Sequence, residues 1–369
     1  MPIFYLCYIY SFFLFSYDRE KNIQKLLFPL LIAFIIVFSI RSSPDEYMRY
    51  LEIAVPENFL DLGYGLFSQW LFNLICQICK FFPNPLTLLY LISYSLIFFL
   101  IHKSIQLISD KSYSISFFTI GFYLSHAFLS FYEGIRGSLA NILVLFAICI
   151  FIKYKRIITT IIYLYLAASI HIQTLPFLFI FATYTLSKEI FKRIKLFKFK
   201  QKKVLIVLSL ILIFASSITF RSSISKIFIN FVFSNASFFA GYDGYLYDKS
   251  YVYEINILGF TYLGLLCTNL VILVLSYQPI FSHPNKRHRI LFFLVLFGQV
   301  LSLAFSNLAL VAYRFSSAFL YFQMPLIASL ITIENKNKIS YKKFILILLA
   351  SALSFWNIFI QENLKSFAF

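Results

Sequence analysis

The chain has 369 residues, of which 60% are hydrophobic and only 13% are charged. Soluble domains are about half apolar and a quarter charged, so this composition excludes an ordinary cytosolic protein and is typical of a polytopic membrane protein. The formal net charge is +17, but the basic residues gather in short segments between apolar runs, which argues against nucleic-acid binding.

A transmembrane helix needs about 20 predominantly apolar residues to cross roughly 30 Å of hydrocarbon. Apolar runs that approach this length lie near residues 3–16, 26–40, 85–101, 113–131, 138–152, 204–220, 255–278, 290–306, 315–333 and 344–361. A longer run at 157–186 contains His171 and Pro176 near its middle, which favours two short helices that meet at the histidine. The pattern predicts an all-α protein with about twelve transmembrane helices, some short or re-entrant, in one membrane-embedded domain over residues 1–369.

The positions of lysine and arginine predict the orientation. Six segments hold 23 of the 32 basic residues, namely DREKNIQK, HKSIQLISDK, KYKR, KEIFKRIKLFKFKQKK, NKRHR and NKNKISYKK. By the positive-inside rule these segments are cytoplasmic, and we expect His283 and His288 to be solvated there. The connections 41–64 and 132–137 then both lie outside, so the stretch 67–82 between them is interpreted as re-entrant or interfacial.

The longest outside connection, 221–254, is rich in tyrosine and phenylalanine and is predicted to be a folded, lid-like loop. Its FFAGYDGYLYDKSYVY stretch includes Tyr242 and Tyr245. Aromatic rings with neighbouring Asp and Asn side chains suit the binding of sugar rings. An interfacial aromatic belt is the alternative interpretation of the same residues.

Ionisable residues near the membrane cost a few kcal/mol to bury and so indicate functional positions. Arg136 lies just before a helix predicted to begin near Ser138, where backbone amides and a guanidinium would together bind phosphate. Arg314 opens a later span from the same side, and two separated arginines suit a diphosphate. Snorkelling of each arginine to the membrane surface is the alternative.

Two residues on this side are candidates for a general base. The flanking Arg41 and Arg49 keep Asp45 a carboxylate at neutral pH, while His171 belongs to the residue type that titrates closest to neutrality. Solvated turn chemistry is the alternative role for Asp45, and capping of a helix junction is the alternative for His171. The sequence leaves both choices open.

The sequence predicts neither a metal nor a cofactor. Cys76 and Cys79 form a C-x-x-C pair, but it lies in an apolar run without a second pair of ligands. Packing in the hydrophobic core is therefore favoured over a zinc site.

Together these residues resemble the EpsG family of bacterial membrane proteins, within the broader group of Wzy-type polymerases of O-antigen and capsule repeat units. The resemblance begins with Arg41, which leads to a P/G-x-D type of segment with tyrosines, here Pro44, Asp45, Tyr47 and Tyr50, and then to an aromatic-glycine stretch, GYGLF. It continues with an I-R-x-x-x-A signature at Ile135, Arg136 and Ala140, and with the AASIHIQ turn at His171. A tyrosine-rich outside loop and the late Arg314 complete it. The family usually has glycine-threonine where this chain has Ser43 and Pro44, and often has glutamine where it has Gly137.

The resemblance implies a polymerase at the outer face of the bacterial inner membrane. Such an enzyme transfers a growing glycan from undecaprenyl diphosphate to the terminal sugar of the next lipid-linked repeat unit, and a chain-length regulator protein is an implied partner. Substrate binding would then fall to the arginines and tyrosines singled out above and to two tyrosines beside Asp45. These substrate-binding residues are Arg41, Arg136, Arg314, Tyr47, Tyr50, Tyr242 and Tyr245. Asp45 or His171 would be the catalytic base.

Three other functions remain compatible with the sequence. A flippase for lipid-linked oligosaccharides would handle the same substrate, but transporters often show inverted repeats and a polar central cavity, and the sequence indicates neither. A glycan ligase shares the reaction and the leaving group, so the sequence does not separate it from a polymerase. A non-enzymatic membrane scaffold would tolerate loss of the arginines.

Overall fold

The computed structural model describes most of the chain from residue 70 to residue 333. The described residues are 70–109, 115, 119–120, 135–191, 203–234, 260–282, 285–308, 312, 316, 318–333, 345–346 and 348–349. Every regular element among them is helical. The α-helices are α1 (Trp70–Lys80), α2 (Pro85–Ile108), α3 (Ile135–Tyr154), α4 (Ile157–Ile170), α5 (Leu175–Phe191), α6 (Lys203–Thr219), α7 (Arg221–Ser234), α8 (Phe260–Ser282), α9 (Arg289–Ala304) and α10 (Gln323–Ile333). Short 3₁₀ turns at Ile172–Thr174 and Lys286–His288 precede α5 and α9.

The described helices include several that are long and apolar enough to cross a membrane. Three qualify by length and composition: α2, α3 and the stretch Lys286–Ala304 that contains α9. A fourth arises if Leu210–Thr219 and Arg221–Ile227, which meet at an angle of 58°, form one broken span. The prediction of an all-helical protein is thus confirmed for the described residues, and these apolar helices are consistent with a membrane protein. The predicted total of about twelve spans is not confirmed by the part of the chain that the structure describes.

Helix α3 lies at the centre of the described bundle. It packs against α2 on one side and α4 on another. Apolar residues surround its axis without a polar stripe, and most of its side chains are buried, as expected of a helix that is hydrophobic all round. Its 20 residues give a length of about 30 Å, which matches the hydrocarbon thickness of a bilayer.

The structure confirms the predicted division of residues 157–186 at His171. Helix α4 ends at Ile170, and His171 is its C-cap in an extended conformation, with φ −150° and ψ 120°. The 3₁₀ turn follows, and Pro176 then lies in the first turn of α5, where its missing N–H breaks no helical hydrogen bond. The turn at His171 therefore connects two helices of 14 and 17 residues.

Helix α1 occupies most of the stretch predicted to be re-entrant or interfacial. Its 11 residues extend only about 17 Å, too short to cross a bilayer. Cys76 and Cys79 are buried in the hydrophobic core, as the sequence predicts, whereas Phe81, just beyond the helix, is 88% exposed. The described residues contain no group of three or more His, Cys, Asp or Glu side chains close enough to hold a metal.

Three of the predicted cytoplasmic segments meet at one end of the bundle. Asn285 Nδ2 and an Arg287 guanidinium nitrogen both donate to the carbonyl of Ile152, at 3.1 and 3.0 Å, which brings NKRHR to the end of α3 beside KYKR. The side chain of Cys149 near the end of α3 lies close to Ser104, which brings the HKSIQLISDK end of α2 to the same side. This convergence agrees with the common side that the positive-inside rule assigns to these segments.

The structure corrects the expectation that His288 is solvated. Its side chain is buried, and its Nδ1 lies 2.9 Å from the Ser329 hydroxyl on α10. The basic loop thus inserts its histidine between helices while its arginines bond to backbone carbonyls. His283 lies outside the described residues.

The predicted outside loop 221–254 begins with a helix. Residues 221–234 form α7, which packs against α6 and α9. The aromatic part of the loop, including Tyr242 and Tyr245, lies outside the described residues.

Lys155, which joins α3 to α4, has a backbone conformation whose strain can be tested by substitution. Its φ of 60° lies in the left-handed region, and its N–H bonds to the carbonyl of Phe151 at 3.0 Å. A left-handed conformation costs a non-glycine residue about 1 kcal/mol. Lys155→Gly should therefore raise the unfolding free energy in detergent by roughly 0.5–1 kcal/mol, seen as a higher thermal midpoint.

Lys153→Gly is the matched control, because it removes the same side chain two residues earlier, inside α3. Glycine in a helix interior costs about 1 kcal/mol relative to alanine, so this variant should be less stable than wild type. Equal destabilisation by both substitutions would show that the left-handed turn is not strained.

Candidate functional site

The first described turn of α3 is the point where four parts of the chain meet. Successive residues of an α-helix point about 100° apart, so three consecutive side chains contact three different neighbours. The Arg136 guanidinium carbon lies 6.0 Å from the centre of the Phe72 ring on α1. Gly137 faces the turn between α4 and α5, and the Ser138 hydroxyl lies 2.9 Å from the Tyr321 hydroxyl just before α10.

Gly137 is in close contact with the 3₁₀ turn. A Cβ atom at this position would stand 3.0 Å from Gln173 Nε2 and 3.8 Å from His171 Cδ2. Gln173 Nε2 in turn donates to Asn141 Oδ1, one helical turn further along α3, at 3.4 Å. The absence of a side chain at Gly137 thus lets an imidazole and a carboxamide approach the helix backbone.

A backbone hydrogen bond orients the His171 imidazole. The N–H of Gln173 donates to His171 Nδ1 at 3.3 Å, while Thr174 bonds through its N–H and its hydroxyl to the His171 carbonyl at 3.1 and 3.0 Å. Because Nδ1 acts as an acceptor, the neutral ring carries its proton on Nε2. In this tautomer Nε2 is the ring atom that can donate a hydrogen bond.

Arg136 combines a partly buried position with a contact to an aromatic ring. Its side chain is half-buried, and the Phe72 ring replaces part of the water that a guanidinium would otherwise bind. Its position is also close enough for an electrostatic interaction with Cys76 on α1. A fixed, partly desolvated cation of this kind interacts with an anion more strongly than a fully hydrated one does.

Deeper in the bundle, uncharged polar side chains join three helices. Gln323 of α10 donates from Nε2 to Asn269 Oδ1 of α8, and Asn269 donates from Nδ2 to Gln299 Oε1 of α9. All three side chains are fully buried. Since Gln323 lies two residues after Tyr321, this network begins close to the Ser138–Tyr321 hydrogen bond.

The described residues include two of the predicted site residues, Arg136 and His171. The structure brings their segments together through Gly137. Seven other predicted site residues lie outside the described residues, namely Arg41, Asp45, Tyr47, Tyr50, Tyr242, Tyr245 and Arg314.

Sequence reasoning missed four polar residues of this region: Ser138, Asn141, Gln173 and Tyr321. The prediction was based on ionisable groups, whereas these side chains are uncharged. Their signal was present in the sequence, because Asn141 interrupts an apolar helix and Gln173 follows His171 closely. A search for amides within predicted spans would have found both.

The fold and site together define a helical membrane protein with an arginine, a histidine and an amide cluster near one end of its central helix. The sequence profile of the EpsG family matches residues 45–368, nearly the whole chain, and the protein belongs to that family. Its members are Wzy-type polysaccharide polymerases. No curated protein and no solved structure matches the chain significantly.

The Ser138–Tyr321 contact yields a quantitative test of how α3 is tied to the last described helix. Ser138→Ala and Tyr321→Phe each remove one hydroxyl with little change of shape, and both residues are buried. Interhelical hydrogen bonds in membrane proteins contribute about 0.5–1.5 kcal/mol. The double variant should be destabilised by less than the sum of the single variants, with a coupling energy in that range.

Thermal or denaturant unfolding in detergent measures the coupling in a double-mutant cycle. Ser216→Ala is a suitable control, because the exposed Ser216 hydroxyl bonds, among the described residues, only within α6, to the carbonyl of Ile213 at 2.9 Å. Strict additivity of the two test variants would mean that the two hydroxyls do not interact.

Proposed function

We propose that the protein polymerises oligosaccharide repeat units carried on undecaprenyl diphosphate, at the outer face of the bacterial inner membrane. The polymer would be an O-antigen, a capsule or an exopolysaccharide. The observation that carries the proposal is the contact between the Arg136 turn of α3 and the His171 turn, two segments 35 residues apart that the sequence singles out independently. Membership of the EpsG family supports the same reaction class.

The reaction is a glycosyl transfer with a diphosphate as leaving group. A hydroxyl oxygen of the acceptor sugar attacks the anomeric carbon of the growing glycan, and the bond from that carbon to the diphosphate oxygen breaks. The hydroxyl proton passes to a base, and negative charge develops on the departing diphosphate. Arg136, with Arg314 and Arg41 as further contacts, would stabilise that charge, which is greatest in the transition state.

The orientation of the His171 ring bears on the choice of base. A ring that accepts at Nδ1 and carries its proton on Nε2 has no lone pair at Nε2 for a substrate proton. This arrangement favours a donor role for His171, toward an oxygen of the diphosphate or of a sugar. Asp45 is then the proposed base, since a carboxylate accepts a proton without a change of tautomer.

The proposed location of the reaction follows from the two ends of α3. Lys153 and the basic segments lie at one end, and Arg136 lies about 25 Å away along the helix axis at the other. If the basic end is cytoplasmic, the site faces the outside. A polymerase acting there receives repeat units that a separate transporter has already moved across the membrane.

A deletion strain tests the function and the role of Arg136 together. Wild-type protein should restore a ladder of long polysaccharide on a gel, whereas Arg136→Ala at normal protein level should leave single repeat units. Loss of one charge contact to a transition state commonly reduces the rate by 10²–10³-fold, about 3–4 kcal/mol. Arg136→Lys should restore only part of the activity, because lysine provides one point charge instead of a fork of donors.

Arg156→Ala is the matched control. Arg156 lies at the basic end of the bundle and stacks on Tyr154, with 5.3 Å between its guanidinium carbon and the ring centre, so its loss should leave the ladder intact. A ladder of normal length from Arg136→Ala would refute the assigned role of Arg136. Accumulation of lipid-linked units on the cytoplasmic side in the deletion strain would instead identify a flippase.

Substitutions of His171 separate a donor from a base. Glutamine places an N–H close to the position of imidazole Nε2 but has no basic nitrogen, so His171→Gln should retain a substantial part of the polymerisation. His171→Leu, of similar volume and without a donor, should lose at least tenfold more. Equal loss in both variants, at equal protein levels, would return the role of base to His171.

A further inference from the structure

The Gln173 carboxamide is fixed at its nitrogen end. Nε2 lies against the backbone at Gly137, 3.0 Å from where a Cβ would stand, and donates to Asn141 Oδ1 at 3.4 Å. Asn141 is itself buried, while Gln173 is half-buried. Two neighbouring elements thus determine the position of one amide group.

The oxygen end of the same amide has no corresponding role in the described protein. The hydrogen bonds of Gln173 among the described residues use its backbone N–H, toward His171 Nδ1, and its side-chain Nε2. Oε1 takes no part in them. A half-buried carbonyl oxygen held in place by its own amide nitrogen is a pre-organised acceptor.

The chemistry of Oε1 restricts what it can bind. A carbonyl oxygen accepts hydrogen bonds and has none to donate, so it repels a phosphate oxygen and attracts a hydroxyl. The cation at Arg136 and the Nε2–H of His171 supply positive charge and a donor for the anionic part of a glycosyl diphosphate. The Gln173 acceptor, on the turn that contacts Gly137 next to Arg136 in the chain, would provide the complementary group for the sugar.

We propose that Gln173 is a substrate-binding residue whose Oε1 accepts a hydrogen bond from a sugar hydroxyl of the lipid-linked repeat unit. This proposal rests on the proposed function and adds a specificity element to the same site. Gly137 belongs to that element, because a Cβ there would stand 3.0 Å from Gln173 Nε2 and push the amide by a few tenths of an ångström. A site built to hydrogen-bond a hydroxyl discriminates strongly against sugars that lack it.

Gln173→Met tests the chemistry of the side chain at nearly constant size. It keeps the length and volume of the side chain but removes both the Oε1 acceptor and the Nε2 donor to Asn141, while the backbone N–H that holds His171 is unchanged. With the lipid-linked repeat unit extracted from the deletion strain as substrate, the purified variant should show KM raised at least tenfold and kcat close to that of wild type, whereas its thermal midpoint should fall because Asn141 loses its donor. Unchanged KM and a wild-type ladder would overturn the proposal.

A swapped pair of substitutions keeps the test decisive if Gln173→Met is poorly folded. Gly137→Gln alone should abolish the ladder, because two carboxamides would compete for one space. Gly137→Gln combined with Gln173→Ala places a single amide in that space from the α3 side, and should recover at least tenfold more polymer than either Gly137→Gln or Gln173→Ala alone. Failure of the pair to exceed the single variants, in protein that reaches the membrane at normal levels, would argue that no amide is needed.

Gln278→Ala is the matched control, since Gln278 is an exposed glutamine near the end of α8 that precedes the basic NKRHR loop. It should leave KM and the ladder unchanged. The proposed function fails if wild-type protein restores no ladder in the deletion strain. The role of Gln173 fails alone if wild type restores the ladder and Gln173→Met does so equally well.

Discussion

The burial of α3 on every side is the constraint on which the rest of the described structure depends. A helix without a polar stripe must be covered on all faces, and α2, α4 and the segment that contains Tyr321 supply that cover. Any polar group on such a helix needs a partner, since an unpaired one costs several kcal/mol in an apolar environment. The polar residues of its first described turn, together with Asn141, are therefore the positions at which neighbouring segments are held most specifically.

The same requirement accounts for the choice of partners. Arg136 lies against an aromatic ring, Ser138 pairs with a hydroxyl, and Asn141 pairs with an amide. At the opposite end, the carbonyl of Ile152 accepts from two donors of the NKRHR loop, and the positive charge of Arg287 there interacts favourably with the helix dipole. The two ends of α3 thus differ in their interaction partners. At the basic end the partners are other groups of the protein, and at the other end lie the residues proposed to bind substrate.

Much of this architecture follows from local sequence. His171 and Pro176 predict the break between α4 and α5, because neither residue suits the middle of a span, and the grouping of basic residues predicts that three segments share one end. Contacts between residues far apart in the sequence could not be predicted from the local sequence. His288 looked solvated because its neighbours are charged, and its partner Ser329 is 41 residues away. Likewise, nothing in the local pattern indicates that Gln173 occupies the space left at Gly137, although this chain lacks there the glutamine often found in the family it resembles. Contacts of that kind depend on how helices pack and not on periodicity.

The length of α4 has a consequence for how deep in the membrane the proposed reaction takes place. Its 14 residues rise only about 21 Å, whereas the hydrocarbon of a bilayer is about 30 Å thick. A helix that starts at one interface and stops at His171 therefore ends several ångströms short of the other interface. If α4 starts at the cytoplasmic interface, local thinning of the bilayer or entry of water above the turn would accommodate the difference. A polyprenyl carrier could then bring its diphosphate down to the arginine while its hydrocarbon tail stays among the lipids, and the sugars could remain in the water above it. The shortness of one helix would in this way set the level at which a lipid-linked substrate and an aqueous polymer meet.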